Sequence, residues 1–236
     1  TSANEAYLGS GQYVVAKGIT IQAGMMPKAY ATSVAEAISG AGSEKVGVAG
    51  SLALHIADSV TVAQIREGAV VEANDTDVVL IAEGRSGRGT RASPGEGGSS
   101  GGSVGVGASV AILSLADTTE AGVEEAADLS GARNLTISAS SDHDSETEAR
   151  AGASGGVAID SVVGLTTISQ RTRASIGAGS LLSTSGGVSL HAVDTGDNGV
   201  TAIGDTESGN VGVGSSVALI TTDSDISAVV DRDLGV

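Results

Sequence analysis

The residues of this chain best equipped for chemistry are carboxylates and imidazoles. The run Asp142-His143-Asp144-Ser145-Glu146 places oxygen donors at alternate positions, so Asp142, Asp144 and Glu146 are the candidate ligands for a hard cation such as Ca²⁺. The run lacks the glycine turn and distant Glu of an EF-hand loop, and the Gly-Gly-x-Gly-x-Asp nonapeptides of calcium-binding β-rolls. Asp75 and Asp77, Asp194 and Asp197, and Asp223 and Asp225 form similar acidic turns, and a solvated loop is the simpler reading of each. The three histidines, His55, His143 and His191, are not spaced as ligand pairs. His55 and His191 fall on strand-like segments, opposite in parity to the large apolar residues, which predicts outward-facing side chains. Nothing resembles Gly-x-Ser-x-Gly in a strand-to-helix setting. The only aromatics, Tyr7, Tyr13 and Tyr30, offer little for stacking sugars. No catalytic residue and no cofactor is therefore assigned, with Ca²⁺ the one ion to be tested.

Composition narrows the possibilities further. Lys and Arg total 12 against 28 Asp and Glu, a net charge of −16, and such a surface repels phosphates, so nucleic acid is not an expected partner. There is no cysteine, hence no disulfide and no thiolate metal site. Without Phe or Trp, the chain has to bury Val, Ile, Leu and Ala in thin regular layers, as a solenoid does. No apolar run approaches the ~20 residues of a membrane-spanning helix, so no span is expected in this segment.

Such layers require a repeat, and one is present. Val104-Gly105-Val106-Gly107-Ala108-Ser109-Val110-Ala111-Ile112 returns as a leader starting at Val46, Val157 and Val211, at intervals of 58, 53 and 54 residues. A second motif follows, Thr61-Val62-Ala63-Gln64-Ile65, with equivalents beginning at Thr119, Thr172 and Ile226. The third, Ile19-Thr20-Ile21-Gln22-Ala23, returns from Val78, Leu135 and Val188. All three alternate with period two, as strands with one buried face do. Thr61, Thr119 and Thr172 share a column, which reads as a hydrogen-bonded ladder between layers.

The expected organisation is residues 1–45 as the end of a preceding repeat plus a variable segment, 46–103 as repeat 1, 104–156 as repeat 2, 157–210 as a divergent repeat 3, and 211–236 as a partial repeat 4. The chain thus reads as a slice of something longer. Residues 84–103, with Arg85, Arg88, Arg91 and a Gly-Ser run, read as a flexible loop, and residues 27–39 as a short helix. The fold class expected is all-β, a repetitive parallel β-solenoid (β-helix). Three rungs of ~18–20 residues per repeat are favoured over one wide coil, on the length of a strand and its corners. A stacked antiparallel hairpin repeat is the alternative.

Period two gives the leader two faces. Val104, Val106, Ala108, Val110 and Ile112 are assigned to the core, since each buried Val or Ile contributes roughly 1.5–3 kcal/mol. Gly47, Gly105, Gly107, Gly212 and Gly214 then form an outer face of close packing and assembly, covered by a second layer or a neighbouring chain, because strand glycines mark close approach of another backbone; a plain solvent-facing strand kept small to allow curvature is the alternative. Asp160 replaces Gly107 in the third repeat, which should depart from the others there.

The leader, the Thr-x-Ala-x-Ile motif, the step Gly68-Ala69-Val70-Val71-Glu72-Ala73 and the third motif together resemble the repeat regions of giant bacterial surface proteins, the filamentous-haemagglutinin-like and leukotoxin-type filamentous adhesins. The resemblance runs from Ile19 to Val230. It implies a secreted, extracellular or cell-surface filament with a structural or adhesive role and no catalytic residue. Partners would be the chain itself or neighbouring repeats, and host or cell-surface glycans or proteins. The alternative is a carbohydrate-active or glycan-binding β-helix with its site in the variable loops.

Overall fold

A computed structural model describes residues 1–24 and 31–235. Its strands are β1 (Ser2–Leu8), β2 (Tyr13–Val15), β3 (Ile19–Gly24), β4 (Ala31–Ser43), β5 (Val46–Ile65), β6 (Val70–Gly101), β7 (Val104–Val123), β8 (Asp128–Ile176), β9 (Leu182–Ser183), β10 (Val188–Val230) and β11 (Leu234–Gly235). Every pairing is parallel, which establishes a parallel solenoid and rules out the antiparallel alternative.

The register shows what one turn of the solenoid is. Val46 pairs Val104, Val104 pairs Val157, and Val157 pairs Val211. One whole repeat is therefore a single wide coil, and the expectation of three short rungs is corrected. The reason is local: leader and Thr-x-Ala-x-Ile motif run as one strand of 20 residues, with no turn at Asp58-Ser59 or Asp117-Thr118. At ~3.3 Å per residue such a strand makes a wall about 65 Å long.

The return wall is equally continuous. Residues 84–101 belong to β6, not to a loop, and pair with β4 and β8. The cause is alternation that the Gly and Ser content masks: Ser86, Thr90 and Ala92 point inward, at 2%, 2% and 0% exposure. Of the expected helix, residues 27–30 lie outside the described residues, and the remainder is part of β4.

The two walls converge at one edge and diverge at the other. At the wide edge a short third strand closes the turn (β2, Val70–Glu72, Asp128–Ser130, β9), and Leu80, Leu135, Ile137, Leu129, Ile65 and Ile176 fill the space. Ala63, Ala121 and Ala174 face Ala82 and Ala139 across it, and the lumen begins to narrow. The corner preceding the short strand needs a left-handed residue. Gly11 and Gly68 provide it at φ 66° and 68°, but the next coil has Ala126 at φ 55°. The Arg232 guanidinium ties two corners together by donating to the carbonyls of Gly177, Ala127 and Glu124.

Candidate functional site

The faces of the leader are the reverse of those expected. Gly105, Gly107, Ser109 and Ala111 point into the lumen, whereas Val48, Leu52 and Ile56 are 63%, 65% and 67% exposed at the end of the stack. The cause is the narrowness of this edge. A Cβ on Gly105 would lie 3.0 Å from the Ser154 carbonyl carbon, and one on Gly107 would lie 3.1 Å from that of Gly152. At Gly47 the Ser100 carbonyl carbon would be 2.7 Å away. The glycines thus meet a backbone at close range, but it is the return wall of their own coil. Gly212 and Gly214 face the same lumen beside Thr206, with Asp160 also against Gly214.

Between the Gly-lined edge and the Leu-lined edge runs a stripe of buried polar side chains. The Ser86 hydroxyl donates to Asp117 Oδ2 at 2.6 Å, and burial pushes the Asp117 carboxyl above the ordinary Asp value. That hydrogen bond, with the Arg88 and His143 charges, pulls the other way, while Asp194 adds to the rise. His143 Nδ1 lies 3.3 Å from Asp194 Oδ1, an ion pair when the imidazole is protonated. Its Nε2 is 3.3 Å from Asn198 Nδ2, and Asn198 accepts from Ser145 at 2.6 Å. Asp160, in the column of Ala49, Gly107 and Gly214, is buried with both carboxylate oxygens unpartnered. Ser, His and Asp are thus brought together, but His143 and Asp160 are each only 2% exposed. Both are enclosed between the walls, and the stripe forms a polar part of the core.

The expected metal ligands are not assembled. Asp142, Asp144 and Glu146 occupy alternate, outward positions of β8, so they form a row along the wall and do not converge. Among the described residues no three metal-ligating side chains form a group. Asp77 instead takes a bidentate contact from Arg133, at 3.0 and 2.9 Å, and a third bond from Asn134, all of which hold its carboxyl below the usual range. His191 does face outward, but His55 does not. The His55 ring reaches the Gly89 carbonyl and the Ser33 hydroxyl across the lumen, at 3.0 and 2.9 Å. Thr61, Thr119 and Thr172 stack in one buried column, yet the Thr172 hydroxyl has no partner, so the expected ladder of hydrogen bonds is incomplete.

The two outer surfaces differ in kind. The second wall presents Asp142, Asp144, Glu146, Glu148 and Arg150. Outside the first wall, the columns that begin at Val46, Val48, Leu52 and Leu54 hold only Val, Leu and Ile through four coils. Between them lies a column of small residues, Gly50, Ala108, Ser161 and Ser215. This apolar surface is built from side chains that sequence reasoning assigned to the core. A signal was available: Val123, at the end of the same strand, shares parity with Gly105 and Gly107, and a strand that runs without bulge or corner keeps one parity facing in. Comparison of the chain with protein-family models, with curated proteins and with solved structures found no match.

Proposed function

We propose that this chain is a non-catalytic structural and adhesive segment of an extracellular fibre, stalk or cell-surface layer. The observation that carries the reading is columnar identity: Ala63, Ala121, Ala174 and Ala228 occupy one column through four coils, as do Ala37, Ala92, Ala149 and Ala202 on the opposite wall. Identical columns extend a rod coil by coil, whereas a catalytic centre needs a constellation that occurs once. Inside the lumen the groups that differ between coils, Arg88, Asp117, His143, Asp160 and Asp194, are buried between the walls. The resemblance of the leader to filamentous adhesin repeats supports the same conclusion. The mechanical role follows from parallel hydrogen bonding along the axis, in which each coil contacts only its neighbours.

A second reading has one observation in its favour. A shallow depression outside the second wall is bordered by Asp144, Glu146 and Asp197, a carboxylate set suited to a glycan. A glycan-binding and depolymerisation screen, run beside imaging of the native assembly, separates the two. Rods with the ~4.8 Å axial spacing of stacked strands and no turnover are expected. Specific turnover lost on Asp144→Asn or Asp197→Asn would overturn the structural reading.

A further inference from the structure

We infer that the outer apolar face of the leader wall is the lateral pairing surface for a second copy of this chain, packed sheet against sheet. The inference deepens the structural reading and rests on it in part.

None of the outward leader positions carries a charge. From Val46 to Ile56, Val104 to Ser114, Val157 to Thr167 and Val211 to Thr221, the outward residues are aliphatic, Gly, Ser or Thr. The opposite wall carries charge on its outer face, Asp142, Asp144, Glu146 and Glu148 in one coil and Arg85 and Arg91 in the coil before it, so in a chain of net charge −16 the uncharged leader face is segregated. Four coils at ~4.8 Å and nine residues at ~3.3 Å give a flat face of about 19 by 30 Å. One face is thus about 570 Å², at the upper end of the largest patch on a typical monomer, and covered by a like face it buries on the order of 1,100 Å² in total, at the low end of specific interfaces.

Three features select a second copy over another occupant. The ridges recur at the axial spacing of stacked strands, so contacts made in one coil recur in every coil only if the partner has the same spacing. Two such faces pack at about 10 Å, the ordinary separation of sheets in a sandwich, with the small column through Ala108 and Ser161 leaving a furrow between ridges. Pairing through this face also directs both acidic walls away from the interface, whereas an anionic lipid surface would be repelled by the chain's charge.

The test uses the whole chain in sedimentation, with Val106→Lys and Val110→Lys combined. Both lie in an inner coil, so the exposed end strands are unchanged. The native chain is expected to dimerise or assemble further, more tightly as salt screens its net charge. The double variant is expected to weaken association by at least about a hundredfold, because the interface symmetry duplicates each buried lysine. As the chain lacks cysteine, Ser161→Cys adds a single thiol at the face and Ser140→Cys one on the opposite wall. A bis-maleimide of about 10 Å is expected to join copies through the first and not the second. This result stands even if the lysine variant does not fold. A native chain monomeric at about 100 µM, association unchanged by the lysines, or cross-linking only through Ser140→Cys would overturn the inference. The first two outcomes leave the coil-by-coil solenoid of the single chain intact, while loss of the structural reading itself would appear as glycan turnover.

Discussion

Replacing Gly107 and Gly50 by Ala tests which face of the leader lies inside, because the two substitutions are chemically identical and sit on opposite faces of paired strands. At Gly107 the new methyl would overlap the Gly152 carbonyl, whose carbon lies 3.1 Å away, so the walls have to separate. Overpacking of this kind costs about 1–3 kcal/mol, offset by about 0.5–1 kcal/mol for removing a strand glycine, which leaves a net loss near 1–2 kcal/mol. At Gly50 the methyl would point outward, its nearest neighbour the Ala108 carbonyl oxygen at 3.8 Å, and only the favourable term remains. Ala108 itself fills that column one coil further on. For a chain of this length each kcal/mol moves the melting temperature by about 2–4 °C, so thermal unfolding should show a drop of about 2–8 °C for Gly107→Ala and a rise of about 1–4 °C for Gly50→Ala. The presence of Ala49 in the Gly107 column is no exception. Opposite it the register is irregular, with seven steps in β6 from Ala92 to Ser99 against four in β8 from Ala149 to Ala153, so Ala49 and Gly107 do not face equivalent backbone. Shifts of opposite sign would refute the inward placement of the glycines.

Three other measurements bear on the interior and the corners. Burial raises the Asp117 carboxyl above 3.8, so the native state holds more protons than the unfolded state between that value and the raised one; stability falls as pH rises through this window. Asp117→Asn should therefore raise the urea midpoint near pH 7 and change it little near pH 3, and a loss at neutral pH would show that the charge is needed. Ala126→Gly relieves a left-handed residue at φ 55° and is expected to add about 1 kcal/mol in denaturant unfolding, whereas an unstrained corner would instead lose stability. EDTA should leave the melting temperature unchanged, since Asp142, Asp144 and Glu146 do not converge; a marked fall would restore them as calcium ligands.

The period and the membership of the columns in the three motifs were legible in the sequence, because a solenoid writes one chemical requirement repeatedly at one spacing; parallel pairing was the favoured reading, and only the structure excluded the antiparallel one. Ala63, Ala121 and Ala174, or Ile19, Val78, Leu135 and Val188, align by inspection and pair in register. The continuity of residues 84–101 was hidden by Gly and Ser, which mask the alternation and read as a linker; parallel pairing with β4 and β8 on either side holds them in the strand. The enclosed polar stripe was equally illegible, since Asp117, His143 and Asp194 come from different walls and successive coils.

Alternation in Val-Gly-Val-Gly-Ala-Ser-Val-Ala-Ile declares that the leader has two faces, and the sequence determined that much. Which of them is inside depended on the distance to the other wall, a tertiary quantity. Where the walls are wide apart, as at Leu80 and Ile137, large side chains fill the gap. Where backbone meets backbone, as at Gly105 and Ser154, only small residues fit, and the aliphatic side chains are turned outward on a strand that cannot show both faces to the core.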